Sequence, residues 1–226
     1  MLFNLTPEEI IVRLLVLGVG MTIHEFAHNY VGWRMGDPEP ARQGRLTLNP
    51  LVHINWIGWI MFALIGFGIL GSAPISPYRM PLQNRRWRWL AAVAAGPLSN
   101  LLLAIIFAII AFLIGPLTVS RLPDIVQSLL GNMIYLNVLL FVFNLIPLYP
   151  IDGWQIVLAL LPPDLAATWQ KYAQTSQLIF FGLLLLSFIP LPGIPDVFGI
   201  LIGQPVSQIV IFLLGNNLFT LGRFLV

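Results

Sequence analysis

Six apolar segments, separated from one another by prolines and glycines, restrict this chain to folds that form within a membrane. Hydrophobic residues make up 58% of its 226 residues and charged residues only 9%, whereas a soluble domain carries about 25% charged residues. The sequence therefore predicts an all-α polytopic membrane protein in direct contact with the lipid bilayer. The six segments are Pro7–Met35, Ile54–Gly71, Trp89–Gly115, Met133–Leu148, Leu178–Ile189 and Val206–Val226.

The start of the first segment has the composition of a helix N-terminus. Thr6 can cap the helix, Pro7 suits its first turn, and the acidic residues Glu8 and Glu9 lie near the positive end of the helix dipole. Residues 1–9 contain no Lys or Arg, so this end does not resemble a cleavable signal peptide. A helix that runs as far as Met35 exceeds the bilayer core, which is roughly 30 Å thick, and we expect it to tilt or protrude.

The first segment contains an HExxH pattern, His24-Glu25-Phe26-Ala27-His28. Residues four positions apart share one face of an α-helix, so His24 and His28 can bind the same metal ion. Glu25 is placed to take a proton from a water molecule held by that metal. Ionisable residues are costly in lipid unless they face the protein interior. The motif therefore predicts zinc-dependent hydrolysis within the membrane.

A catalytic zinc site needs a third protein ligand, and the chain has no cysteine to supply one. Asp152 is the best candidate, because it follows the fourth apolar segment where prolines and a glycine interrupt the helix. The remaining acidic residues beyond the first helix lie in connections between segments and are weaker candidates. They are Asp37, Glu39, Asp124, Asp164 and Asp196.

The position of Asp152 also predicts the topology. For Asp152 to reach the two histidines, the fourth segment must end at the membrane face toward which the first segment runs. One intervening segment must then not cross, and we expect residues 54–71, which are short and rich in glycine, to form a re-entrant or shallow hairpin. About five transmembrane helices remain.

The distribution of basic residues gives an orientation for this topology. If residues 54–71 do not cross, seven of the eleven Lys and Arg residues lie on one side of the membrane. The positive-inside rule makes that side cytoplasmic, so the predicted metal site lies toward the cytoplasm. The seven residues are Arg34, Arg42, Arg45, Arg79, Arg85, Arg86 and Arg88.

Three blocks, in this order, resemble the site-2 protease family of intramembrane zinc metalloproteases, specifically its small prokaryotic type without PDZ or CBS domains. The resemblance implies an endopeptidase that hydrolyses peptide bonds within or near the transmembrane helices of membrane-protein substrates. The blocks are His24-Glu25-Phe26-Ala27-His28, Gly96-Pro97-Leu98-Ser99-Asn100, and Asn144-Leu145-Ile146-Pro147 followed by Asp152-Gly153.

The same resemblance implies a role for each matching polar residue. Two histidines and an aspartate would hold one Zn²⁺ per chain, and the glutamate would be the general base that assists attack by water. The two asparagines could hydrogen-bond the substrate backbone or the developing oxyanion, although Asn also joins or caps helices in bundles. We expect His53, in the loop that follows Asn49, to be structural. The residues concerned are His24, Glu25, His28, Asn100, Asn144 and Asp152.

We predict a single integral-membrane domain over residues 1–226, with a protease core at 7–160 and additional helices at 174–226. Its expected location is the plasma membrane of a prokaryote, and a net charge of +2 gives no reason to expect nucleic-acid binding. Two other functions remain open: a transporter whose His, Glu and Asp bind a permeating ion, and a non-catalytic binder of transmembrane helices. We see no internal repeat, as a transporter would often show, and a pure binder would not need Glu25. The oligomeric state is open.

Overall fold

The computed structural model describes residues 6–65, 68, 70–188 and 196–222. Within these ranges the backbone consists of helices joined by turns and short extended connections. The helices are, in chain order, α1 (Pro7–Arg34), α2 (Glu39–Arg42), α3 (Pro50–His53), α4 (Trp56–Ile65), α5 (Arg85–Ile114), α6 (Pro116–Val119), α7 (Asp124–Asn144), α8 (Asp152–Leu160), α9 (Pro163–Lys171), α10 (Ala173–Phe188), α11 (Val197–Leu214) and α12 (Leu218–Leu221).

Four of the described helices, α1, α5, α7 and α11, are long and apolar enough to cross a membrane, and α10 is a shorter apolar helix. This arrangement confirms the prediction of an all-α polytopic membrane protein. Helices α1, α5 and α7 pack against one another at the centre of the bundle. Small residues on α5, among them Ala104, Ala108 and Ala111, are buried in an apolar cluster with residues of α7, α10 and α11, as expected where helices associate through close backbone approach.

Helix α1 begins as its sequence predicts. The hydroxyl of Thr6 accepts a hydrogen bond from the backbone N–H of Glu9, and the carboxylate of Glu9 accepts one from the backbone N–H of Thr6 at 2.7 Å. This capping box satisfies N–H groups that have no partner inside the helix. With 28 residues, α1 is about 42 Å long, which exceeds the apolar thickness of a bilayer.

The segment between α3 and α5 agrees with the predicted hairpin. Helix α4 has 10 residues, or about 15 Å, too short to cross the bilayer core. Ile54 and Gly71 form an antiparallel bridge, and the Leu70 carbonyl accepts hydrogen bonds from the Asn55 backbone and the Trp59 indole, both at 3.0 Å. The two ends of the segment therefore lie side by side. Residues 66, 67 and 69 of the predicted hairpin lie outside the described residues.

The two largest differences between predicted segment starts and the structure are nine positions each. Helix α7 begins at Asp124, nine positions before the predicted start at Met133, because its first turns contain polar residues that are buried in the protein and weaken the apolar signal. Helix α11 begins at Val197 and continues through Pro205; neighbouring groups in a membrane bundle can compensate for a proline inside a helix. Two predicted segment ends, Ile189 and Val226, lie outside the described residues.

An ion pair between buried Asp37 and exposed Arg79 joins the end of α1 to the connection that precedes α5. The carboxylate of Asp37, which has no exposed surface, accepts hydrogen bonds from Arg79 at 2.7 and 2.8 Å and from the backbone N–H of Ser76 at 2.8 Å. Burial opposes ionisation of Asp37, but the hydrogen bonds from Arg79 and from the backbone outweigh it and hold the pKa of Asp37 below its ordinary value. The pair fixes residues 71–76 beside α1, next to the site described below.

Candidate metal centre

Three potential ligand atoms converge between α1 and the start of α8. The Nε2 atoms of His24 and His28 lie 3.0 Å apart. Oδ2 of Asp152 lies 3.1 Å from the first of these nitrogens and 3.0 Å from the second. Both histidines are almost completely buried, and Asp152 is partly buried. The structure thus brings together the three residues that the sequence predicted as ligands.

Hydrogen bonds to the other ring nitrogens determine which atoms face the centre. Nδ1 of His24 lies 2.7 Å from Oδ1 of Asn100, and Nδ1 of His28 lies 2.9 Å from the carbonyl oxygen of Ala92. Both oxygens accept hydrogen bonds, so both Nδ1 atoms carry the proton and both Nε2 atoms present lone pairs.

The donor set fits a zinc ion. Two neutral imidazoles and one carboxylate, all presenting lone pairs to the same point, repel one another unless a cation lies between them. Two His and one carboxylate are ligands that Zn²⁺ accepts in catalytic sites, where a fourth position stays open for water or substrate. Outer hydrogen bonds from each ring to a carbonyl-type oxygen are the usual support for such ligands.

Asn100 contacts His24 at Nδ1, the ring nitrogen that faces away from the centre. Its Nδ2 donates to the carbonyl oxygen of Gly20 at 3.0 Å and to Oδ1 of Asn137 at 2.9 Å. Because the Gly20 carbonyl can only accept, the nitrogen of the Asn100 amide must face it and the oxygen must face His24. Asn100 is completely buried and does not line the cavity beside the centre. This position suits orientation of His24 better than the predicted contact with substrate or oxyanion.

We expect Asn100→Ala to weaken zinc binding about 10- to 100-fold, because His24 loses the acceptor that fixes its tautomer and ring orientation. Competition with a chromogenic chelator on detergent-purified protein measures this change without depending on proteolysis. Asn132→Ala is the matched control, since Asn132 is a buried asparagine that bonds Ser128 within α7 and is expected to leave zinc affinity unchanged. A folded Asn100→Ala variant with wild-type affinity would contradict the assignment.

Two glycines allow other segments to approach the centre closely. A Cβ atom at Gly96 of α5 would overlap the ring of His28, and one at Gly71 would lie 2.7 Å from Oε1 of Glu25. Gly96 opens the second of the sequence blocks, and its lack of a side chain lets α5 approach the ring of His28 closely. Gly71 lets the connection after the hairpin cover the glutamate.

Glu25 lies beside the three ligands and is 4% exposed. Its Oε2 atom is buried and makes no hydrogen bond to any residue that the structure describes. An unpaired carboxylate oxygen next to a metal site is free to accept a proton from a reactant. The structure therefore leaves Glu25 available for the role predicted from the HExxH pattern.

A cavity of about 570 Å³ opens beside His24, Glu25 and Asp152. Asn144, which the sequence also singled out, lines it; the Nδ2 of Asn144 donates to the Leu140 carbonyl at 2.9 Å, and its Oδ1 has no partner among the described residues. Most of the other lining side chains are apolar and come from α1, α7, α10 and the connection before α5. Examples are Leu17, Met21, Ala73, Ile75, Leu139 and Phe181.

Two further polar residues, His53 and Asn137, have structural roles. His53 is 3% exposed, lies 2.7 Å from the Thr47 carbonyl through its Nε2 and is not among the cavity-lining residues, as expected of a structural histidine. Asn137, which orients Asn100, was not predicted from the sequence to belong to this region. It could have been recognised as an asparagine within an apolar helix, because such residues commonly form hydrogen bonds between helices in membranes.

Comparison with other proteins agrees with the chemistry of this centre. The chain is 36% identical over 181 residues to YwhC of Bacillus subtilis (strain 168), a protein named as a zinc metalloprotease, and the match covers 79% of this chain and 80% of that protein. The chain belongs to the site-2 protease family of zinc metalloproteases.

A second relative of this site-2 protease family member is Rip2 of Mycobacterium tuberculosis (strain ATCC 25618 / H37Rv), also named as a zinc metalloprotease. It is 28% identical over 179 residues, which cover 76% of this chain and 64% of Rip2. No family model and no solved structure matches the chain. The predicted membership, zinc cofactor and hydrolase class are confirmed, and the protein is an integral membrane zinc metalloprotease.

Proposed function

We propose that this site-2 protease family member is an intramembrane endopeptidase that hydrolyses peptide bonds within or near the transmembrane helices of membrane-protein substrates. The observation that carries the proposal is the position of the metal centre along α1. His24 lies about 15 Å from the Arg34 end of the helix and about 26 Å from the Pro7 end. The catalytic group is therefore inside the apolar length of a helix that can cross the membrane.

The cavity supports a substrate of this kind. Most of its lining is apolar, so it suits the side chains of a transmembrane segment. The polar lining residues are His24, Glu25, His28, Ser72, Asn144, Asp152 and Gln155. A substrate helix must unwind locally to react there, because the amides of an intact helix are occupied by their own hydrogen bonds. The unpaired Oδ1 of Asn144 is positioned to accept one N–H of the unwound backbone.

In the proposed reaction, His24, His28 and Asp152 would hold Zn²⁺, and the bound ion would supply Lewis-acid chemistry that polarises the scissile carbonyl and makes water more acidic. Glu25 takes a proton from the attacking water and delivers it to the amide nitrogen as the C–N bond breaks. The products are a carboxylate and an amine. Asn100 keeps the proton of His24 on Nδ1 throughout, so Nε2 stays available as a ligand.

Cleavage in proteoliposomes tests this proposal. We expect the purified, zinc-loaded protein to cut a model membrane protein whose single transmembrane helix contains a helix-destabilising Gly-Pro pair, and mass spectrometry to locate the cut within or next to that helix. A substrate with a Leu-rich helix of equal length is the control and should be cut much more slowly. Cleavage confined to soluble loops would contradict the proposal.

We also propose that the active site lies toward the cytoplasm. Basic residues cluster at the end of the bundle where α1 finishes. Arg88 donates to the Met35 carbonyl at 3.1 Å, and Arg86 donates to the carbonyl oxygens of Ala159 and Leu160 at the end of α8. By the positive-inside rule, this end faces the cytoplasm.

The absence of cysteine makes the orientation directly measurable in cells. Tyr78→Cys lies at the basic end and Leu117→Cys in the connection between α5 and α7 at the other end; the native side chains are 75% and 79% exposed. We expect a membrane-impermeant maleimide to label Leu117→Cys in intact spheroplasts and Tyr78→Cys only after permeabilisation. The reverse pattern would place the active site on the outer side.

A further inference from the structure

Helix α11 presents polar side chains to the membrane. Gln204, Ser207 and Gln208 are all exposed, although the helix is one of those able to cross a bilayer. With 3.6 residues per turn, Gln204 and Gln208 each point within roughly 20° of the direction opposite to the buried face. That buried face, which packs into the main apolar cluster, consists of Phe198, Ile202, Val206, Val210 and Leu214.

The two glutamines lie near the middle of the span. Helix α11 has 18 residues, and Gln204 and Gln208 lie about 2 Å before and about 4 Å after its midpoint along the axis. At that depth no water is present to satisfy an amide, so each unpaired polar group carries a large free-energy penalty. Neither side-chain amide has a hydrogen-bond partner among the described residues, whereas the Ser207 hydroxyl donates to the Gln204 carbonyl at 2.9 Å.

We propose that this face of α11 binds the same face of a second copy of this chain, with Gln204 and Gln208 hydrogen-bonded to their counterparts. Two copies in one membrane share a topology, so their α11 helices run parallel and place each amide at the same depth. An amide has both donors and an acceptor, and it can therefore pair with an identical group across a two-fold axis along the membrane normal. A different partner would need its own polar residues at both depths.

The spacing of the exposed residues also suits a parallel helix pair. Val197, Leu201, Gln204, Gln208 and Ile211 are all exposed and follow the alternating four- and three-residue spacing of a coiled-coil seam, the geometry of helices that cross at about 20°. None of the described residues that line the active-site cavity belongs to α11, so the pairing leaves the cavity accessible.

Subunit counting in lipid tests the proposal. Fluorescently labelled protein at low density in liposomes is photobleached, and the number of steps per particle is followed as the protein-to-lipid ratio changes. We expect a dimer for the wild type and a dissociation constant roughly 10- to 50-fold higher for the Gln204→Leu/Gln208→Leu double variant, because the substitutions remove every interhelical amide hydrogen bond of the proposed pair. Gln174→Leu, the same change near the start of α10, should match the wild type.

Cysteine cross-linking locates the interface. Leu201→Cys should form a disulfide-linked dimer under mild oxidation in the membrane, whereas Leu102→Cys, which is 58% exposed in the native protein on α5, should not. Zinc content serves as the check that the double variant is folded, since none of the substituted residues contacts the centre. A wild type that is monomeric at all ratios, a dimer that the double variant leaves intact, or efficient cross-linking through Leu102→Cys alone would overturn the proposal.

Discussion

Glu25→Gln is expected to slow peptide-bond hydrolysis roughly 10²- to 10⁴-fold, the range that general acid–base catalysis contributes, while zinc stays bound. Glutamine keeps the size of the side chain and one carbonyl oxygen, but it cannot take a proton from water or return it to the leaving amine. Glu25 is not one of the three residues whose ligand atoms converge. The substitution should therefore separate catalysis from metal binding.

The measurement combines cleavage rates in proteoliposomes with metal analysis of the same preparation. Glu8→Gln is the matched control, because it makes the same chemical change at the exposed start of the same helix and should leave the rate within about twofold. Wild-type rates in Glu25→Gln would exclude Glu25 as the base. Loss of zinc in this variant would show instead that the carboxylate is a ligand.

Asp152→Ala is expected to remove both zinc and activity. Two imidazoles alone hold zinc weakly, and the loss of a direct ligand should exceed the 10- to 100-fold loss of affinity typical of outer hydrogen-bond partners. Purified variant protein should therefore contain far less than one zinc per chain after dialysis against a chelator that leaves the wild type loaded. The same experiment tests the stoichiometry that the sequence predicts.

The control for Asp152→Ala is Asp164→Ala, an exposed acid in the first turn of α9, which should retain full zinc. If Asp152→Ala also retained it, the third ligand would have to lie elsewhere. Asp37 could not take its place without breaking its pair with Arg79. The third ligand would then have to be a group that lies away from the two histidines in this structure. A loss in Asp152→Ala alone would show that two distant segments share one metal.

A comparison of Asn100→Ala with Asp152→Ala distinguishes the loss of a metal ligand from the loss of a residue that orients one. Asn100 contacts His24 but is not itself a member of the converging group, so its loss should weaken zinc binding and be rescued by excess metal. Asp152→Ala should not be rescued at moderate zinc concentrations. The two variants should differ because Asp152→Ala removes a ligand atom, whereas Asn100→Ala only loosens the orientation of the His24 ring.

The membrane setting and the three residues that meet at the centre could be predicted from the amino-acid sequence alone. Composition and segment length depend only on local residues, and the spacing of His24 and His28 places them on one face of any helix. Asp152 was predicted because prolines and a glycine interrupt the helix around it, and the non-crossing hairpin followed from the condition that Asp152 must lie at the same membrane face as the two histidines. The predicted helix starts failed where buried polar residues or Pro205 weakened the apolar pattern.

Which helix faces meet could not be predicted without the tertiary contacts. The hydrogen bond from Asn100 to the Gly20 carbonyl joins residues 80 positions apart, and it turns the Asn100 oxygen toward Nδ1 of His24. The approach of Gly96 to His28 and the exposed amides of α11 are likewise set by how the helices rotate about their axes. Sequence periodicity gives the polar and apolar faces of a helix, but the direction in which each face points depends on contacts between distant segments.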